Sequence, residues 1–295
     1  MLYIPFVQSQ ERRIVRIGVF TDCQYCDCLA DGARQYRLSL AKLDSCISTF
    51  NSLDLDAVFH LGDMIDHNFS SYDSVLPRFQ KFQAPLKLLM GNHDYMIKKK
   101  YKDDVTKRLG MIQEEYRHDA GSSEGAYTTV IGSWCFIALN GDDLSYTAPQ
   151  DKEHKNERNE TVNDLYSDLK YNGMPWNGGI GKSQMKWLEE QLIAAGKAGS
   201  NVIVLCHFPL FGKQDHLLFN WQEVLALLSR YPCVKAYFNG HYHSGGYKEF
   251  AGIHFVNFKG MVDTRRNAFG VITLTSDSIL IKGYGREPDR KLKIR

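Results

Sequence analysis

The sequence predicts an α/β protein with more than one sheet. Three observations carry that reading: short apolar runs rich in branched and aromatic residues recur along the chain, amphipathic helical patterns fall between several of them, and the C-terminal third turns into strand-like segments separated by turn residues. At 295 residues the chain is long for one domain, yet an α/β chain of that size buries roughly three quarters of its unfolded surface, so one large core suffices. No Pro/Gly linker or internal repeat divides it, and residues 1–295 read as a single domain.

Taken in order, Ile14–Thr21, Ala57–Leu61, Leu86–Met90, Trp134–Leu139, Val202–Cys206 and Val234–Asn239 have the composition of buried strands. Helical periodicity covers Tyr36–Phe50, Ser183–Ala195, where Met185, Leu188 and Leu192 share one face, and Trp221–Ser229. His254–Phe258, Gly270–Thr275 and Ile279–Lys282, with Ser276–Asp277–Ser278 as a turn, predict a second sheet built from the C-terminal third. Around 142–180 the chain is polar, as in Asp151–Arg158, and reads as an insertion made of solvated loop or exposed helix. Trp134, Trp187 and Trp221 fall at core spacings.

Composition excludes several classes. No stretch approaches the ~20 apolar residues that span a bilayer, so no membrane segment is expected. Met1–Arg13 carries its apolar patch before its charge, the wrong order for a signal peptide, and a cytoplasmic protein is expected. Seven irregularly spaced cysteines do not make a disulfide scaffold, which fits a reducing compartment. With 36 basic and 34 acidic residues there is no sequence-wide basic field for nucleic acid, and no obligate protein partner is evident. Small substrates are favoured.

Five strand-like runs end in residues that ligate metals: Asp22–Cys23–Gln24, Gly62–Asp63, Gly91–Asn92–His93–Asp94, His207, and Gly240–His241–Tyr242–His243. In open α/β sheets ligands bind beyond the carboxyl ends of strands, so these scattered groups converge. Glycine before three of the polar residues permits tight turns and close backbone approach. Carboxylate, imidazole and amide without thiolate suit manganese, iron, zinc or magnesium, and two ions ~3.5–4 Å apart need about seven such groups. Singly, each residue is more simply a turn former, a helix cap or a hydrogen-bonded histidine. Together they outweigh that reading.

In that order these motifs resemble those of the calcineurin-like metallophosphoesterases. The first departs from the usual Asp-x-His, and Gln24 resembles the manganese-dependent ADP-ribose/CDP-alcohol diphosphatases within the group, as do Tyr36–Leu40, Trp176–Gly179, Gly245–Tyr247, Ala268–Gly270 and Lys282–Arg290. The loop between Tyr25 and Arg34 is shorter than in that subgroup. The resemblance implies a four-layer sandwich, two facing mixed sheets with helices outside. It also implies two divalent ions, manganese foremost, with Asp22, Gln24 and His243 on one, Asn92, His207 and His241 on the other, and Asp63 bridging. Water then attacks phosphorus in line, while His93, oriented by Asp94, stabilises charge or protonates the leaving oxygen. Gln24 is the least secure ligand, since its amide could instead bond to backbone.

Arg34 and Arg37, on a helix after the first ligand turn, are candidates for a second phosphate, although solvated arginines are as common there. Asn177–Gly178–Gly179 and the segment near Leu217 are nucleoside contacts on resemblance alone. Asp66 and His67, after the Gly62–Asp63 turn, could support the ligands from behind but read more simply as solvated loop, and the C-x-x-C spacing within Cys23, Cys26 and Cys28 reads as coincidence, with no second pair to complete a zinc site. The expected function is hydrolysis of a nucleoside diphosphate-linked compound, a small nucleotide-linked substrate, between its phosphates. A cyclic-nucleotide or other phosphodiesterase is the alternative within the class, and a non-catalytic interaction scaffold the alternative outside it.

Overall fold

The computed structural model describes residues 14–110, 124–167 and 174–294. Two six-stranded mixed sheets form. The first has β1 (Val15–Phe20), β2 (Ala57–Leu61) and β3 (Leu86–Leu89) parallel, then β10 (Ala268–Leu274), β11 (Ser278–Gly285) and β12 (Arg290–Lys293) antiparallel beyond β1. The second has β5 (Trp134–Ala138), β6 (Asn201–Leu205), β7 (Val234–Asn239) and β9 (Ile253–Asn257) parallel, edged by antiparallel β4 (Tyr127–Ile131) and β8 (Gly246–Phe250).

Period-two alternation explains the layers. Val15, Ile17 and Val19 point into a core between the sheets with Phe59, Phe136, Ile203 and Phe238, whereas Phe20 points outward. Phe59 and Phe136 stack across that core with centroids 4.9 Å apart. Each such fully buried side chain stabilises the fold by about 1.5–3 kcal/mol before entropy is counted. The outer face of the first sheet packs on α1 (Ser39–Asn51) and α2 (Tyr72–Phe79), and that of the second on α5 (Lys182–Lys197) and α6 (Trp221–Ser229). A short α3 (Val105–Gly110) adds to the first outer layer. The four-layer arrangement expected from the motifs is therefore present.

Several expectations change. The C-terminal strands do not make a sheet of their own: β9 completes the second sheet and β10–β12 the first, because strands leaving β9 find the open edge of β1. The polar stretch takes the second of its two expected forms, an exposed helix, α4 (Lys152–Ser167). It is held by Val162 against Phe219, by Arg158 over the Tyr146 ring at 4.1 Å, and by Glu157, which accepts the Lys182 amide at 2.7 Å. Residues 168–173 of that stretch, and the N-terminal segment 1–13, lie outside the described residues. Trp134 and Trp187 are core residues, and Trp221 packs half-buried against the outer core that holds Trp187. Among the described residues no helix is long and apolar enough to cross a membrane.

Candidate metal centre

The carboxyl ends of β1, β2 and β3 in one sheet and of β6 and β7 in the other open on one crevice, and the motif residues follow those strands directly. Asp22, Gln24, Asp63, Asn92 and His207 are fully buried, and His241 nearly so. Asp22, Gln24, Asp63 and His241 all have positive φ, between 43° and 67°. Non-glycine residues rarely adopt that conformation, and the clustering of four in one crevice marks a strained site held by its surroundings.

Those surroundings are identifiable. Asp94 accepts hydrogen bonds from the amides of Gly91, Asp63 and Met64 at 3.0 Å each and from the Tyr72 hydroxyl at 3.1 Å, so it locks the second and third turns together. The Asp22 carbonyl accepts from Val262, and its side chain from the His241 amide at 3.2 Å. At Gly91 a β-carbon would fall inside the Asp63 carboxylate, so glycine is required by proximity rather than by its dihedrals.

The side chains form a ring. His207 Nε2 lies 3.2 Å from Asp63 Oδ2, and His243 Nε2 lies 3.2 Å from Asp22 Oδ1. Gln24 Nε2 donates to Asp63 Oδ2 at 3.0 Å and stands 3.2 Å from His243 Nε2. Donor atoms of Asp63, His207 and His241 all fall within 4.8 Å of one another. Each imidazole is also held from behind: His207 Nδ1 by the Leu61 carbonyl at 2.8 Å, His241 Nε2 by Asn177 Oδ1 at 3.0 Å, and His243 Nδ1 by Asp263 Oδ1 at 2.9 Å. Metal-binding histidines characteristically carry such partners on the second nitrogen.

Three observations bear on whether these residues fit cations. Gln24 Oε1 and Asn92 Oδ1 are buried without hydrogen-bond partners, a costly arrangement unless something else meets them. The field is negative: burial alone would lower the His207 imidazole, but Asp63 and Asp22 raise its pKa to about 10. Burial and the neighbouring His207 hold His241 well below its usual value, in the neutral form that ligates. The donor set is nitrogen and oxygen without sulfur. The residues fit two hard or borderline divalent ions.

Beside the ring is a cavity of about 330 Å³ lined by Arg34, His93, Met96, Trp176 and His216 together with ring residues. The orienting partner of His93 is not Asp94 as expected but Asp66, whose Oδ1 is 2.9 Å from His93 Nδ1. Asp94 is occupied by backbone amides. Asp66 is fully buried, not solvated, and its other oxygen lies 3.9 Å from the Arg34 guanidinium. Neither candidate arginine sits on an α-helix. Arg34 bridges Asp31 and Asp263 in extended backbone and reaches the cavity, whereas Arg37 lies in a 3-10 turn, exposed, paired with Asp27 at 2.6 Å and outside the cavity lining. Asn177 supports His241, and Leu217 is buried. A larger cavity of about 690 Å³ against Asp142 and His154 contains none of the ring residues.

Sequence reasoning missed His216 and Asp263, gave Trp176 no role beyond its place in a resembling segment, and preferred a solvated loop for Asp66. Only Asp66 carried a local signal, its place three residues after Asp63.

Facing sheets with mixed nitrogen and oxygen donors gathered at their carboxyl ends are the architecture of a metal-dependent hydrolase. More particularly, the chain belongs to the calcineurin-like phosphoesterase family, whose sequence model matches residues 15–245. It is 27% identical to a human protein named manganese-dependent ADP-ribose/CDP-alcohol diphosphatase, over 96% of this chain and 94% of that one. A protein of the same name from Oryza sativa subsp. japonica is also 27% identical, over 96% and 95%. A dimetal phosphatase from Danio rerio shares the fold, with a TM-score of 0.81 at 21% identity, over 95% of this chain and 99% of that one.

Proposed function

We propose that this enzyme hydrolyses the phosphoanhydride of small nucleoside diphosphate-linked compounds such as ADP-ribose or a CDP-alcohol, using two divalent ions with manganese preferred. Asp22, Gln24 and His243 would hold one ion and Asn92, His207 and His241 the other, with Asp63 shared. When bound, the pair lowers the pKa of water and neutralises charge on the phosphoryl oxygens. The observation that carries the reading is the single cavity in which the ring, His93 and Arg34 meet. Its ~330 Å³ falls at the lower end of small-ligand sites.

Within it the roles follow from placement. Arg34 offers a planar donor fork to the second phosphate, which a monoester lacks. His93, held by Asp66, faces the cavity and donates a proton to the leaving phosphate oxygen. Trp176 and His216 supply flat apolar area for a base or sugar. The relatives' shared name supports the anhydride over a cyclic phosphodiester.

The test is a panel of ADP-ribose, CDP-choline, cyclic nucleotides and p-nitrophenyl esters with manganese or magnesium, products identified. ADP-ribose is expected to give AMP and ribose 5-phosphate. Inorganic phosphate as first product, or preference for cyclic nucleotides, overturns the reading.

A further inference from the structure

The three cysteines near the first motif do not pair at C-x-x-C spacing. Cys23 is buried, with its thiol 3.5 Å from the Met261 sulfur, while Cys26 and Cys28 are joined as a disulfide. His67 completes a cluster with that pair: a sulfur from each cysteine and one His67 nitrogen all lie within 4.8 Å of one another. The cluster is a product of the fold. The segment after β1 runs beside the segment after β2, with Tyr25 bridged to Ile65 and the Asp66 amide donating to the Tyr25 carbonyl at 3.0 Å. Positive φ at His67 then turns the chain at the point where its ring meets the sulfurs. Cys26 is buried against Tyr36 and Val262, Cys28 is half-buried and His67 exposed, so the cluster sits at the solvent boundary. None of the three lines the catalytic cavity.

We propose that Cys26, Cys28 and His67, in the dithiol form, bind one soft or borderline divalent cation, zinc foremost, separately from the catalytic ring. Two thiolates and an imidazole select zinc over manganese, whereas the ring offers no sulfur. Tetrahedral zinc sets sulfur and nitrogen ligands about 3.5–3.8 Å apart, given bonds of about 2.3 Å and 2.0–2.1 Å. The solvent-facing side leaves the fourth position to water. Conversion from the disulfide is simple chemistry. A phosphine reductant takes the oxygen of one water to become phosphine oxide, and the two sulfurs each gain one of its hydrogens. Zinc then displaces both thiol protons. The ion would sit next to Asp66, because the His67 amide donates to Asp66 Oδ1 at 2.8 Å.

The test uses the full chain, reduced with tris(2-carboxyethyl)phosphine, loaded with manganese, then titrated with cobalt and afterwards zinc. Thiolate-bound cobalt gives a near-ultraviolet charge-transfer band that the ring cannot produce. One equivalent of cobalt should raise that band and zinc should abolish it. Cys26→Ser and Cys28→Ser should lose the band, Cys23→Ser should keep it, and His67→Ala should weaken zinc binding by at least about tenfold. Circular dichroism confirms that each variant folds. Absence of the band in reduced wild-type protein, its survival in Cys26→Ser or Cys28→Ser, or unchanged affinity in His67→Ala overturns the proposal.

Discussion

Asp66 Oδ1 stands 2.9 Å from His93 Nδ1, fully buried, at the wall where the ring meets the cavity. The contact fixes the His93 ring at the wall of the cavity, where a leaving oxygen would meet it. His93→Ala is expected to lower kcat by about 10²–10⁴-fold with metal content nearly intact. Asp66→Asn should cost less, about 10–100-fold, with KM little changed. Metal analysis beside steady-state kinetics decides; loss of metal in His93→Ala would show a ligand instead.

Gln24 presents a neutral amide where an imidazole would bind more strongly. The ion that it shares with Asp22 and His243 should therefore be the more easily lost. Gln24→His is expected to lower the manganese concentration for half-maximal activity. Titrating metal-stripped wild-type and variant protein, by activity and by bound metal, compares them directly; coincident curves would remove Gln24 from the ligand set.

Gly91→Ala isolates geometry from conformation, since φ at Gly91 is −135°, open to any residue. The added methyl would press on Asp63 and come 2.7 Å from the His207 ring. Metal stoichiometry and activity should fall steeply while the far-ultraviolet spectrum stays that of the wild type. A fully active, fully loaded variant would mean that the turn has room to relax.

Lys42 reaches from α1 into the 261–264 turn, where its ammonium donates to the Met261, Val262 and Thr264 carbonyls. That turn carries Asp263, the partner of His243. Lys42→Met should cost about 2–3 kcal/mol, as unpaired buried carbonyls do, and loosen manganese retention. Urea midpoints and metal retention on gel filtration measure both.

His60 is a buried histidine in β2, and burial, against the opposing pull of Asp22 and Asp63, lowers its pKa from 6.5 to about 3. Between those values the unfolded chain binds a proton that the native one refuses, so stability falls as pH falls through that window. One such group contributes a slope of up to about 1.4 kcal/mol per pH unit. Wild-type and His60→Asn protein, both metal-stripped, should differ in that slope, with the variant flatter. Equal slopes in urea titrations would assign the acid sensitivity elsewhere.

The elements that carry the site were legible because buried parallel strands are continuous apolar runs and each ends in a short polar motif. β8 was not, since all five of its residues are exposed and it has no alternation, and β12 offers one buried leucine among charges. In α2 the pattern is interrupted by Pro77, whose missing N–H forfeits a helical hydrogen bond. The ring was readable at short range, residue by residue. Asp263 and His216 were not, because they reach the site only through tertiary packing, far from any motif. Asp66 was visible but ambiguous: an aspartate after a turn is usually solvated, and nothing local says that His93 will close over it.

Val15 pairs with Leu274, so the first of the described strands finds its antiparallel neighbour about 250 residues later. At about 5–20 residues per second, a ribosome needs on the order of tens of seconds to cover that interval. Throughout it the nascent chain carries β1 with one open edge, the arrangement most prone to mispairing with another chain. Yield in a cell is thus a question of what shields that edge during translation, and slowing elongation should lower soluble recovery even when the finished enzyme is stable.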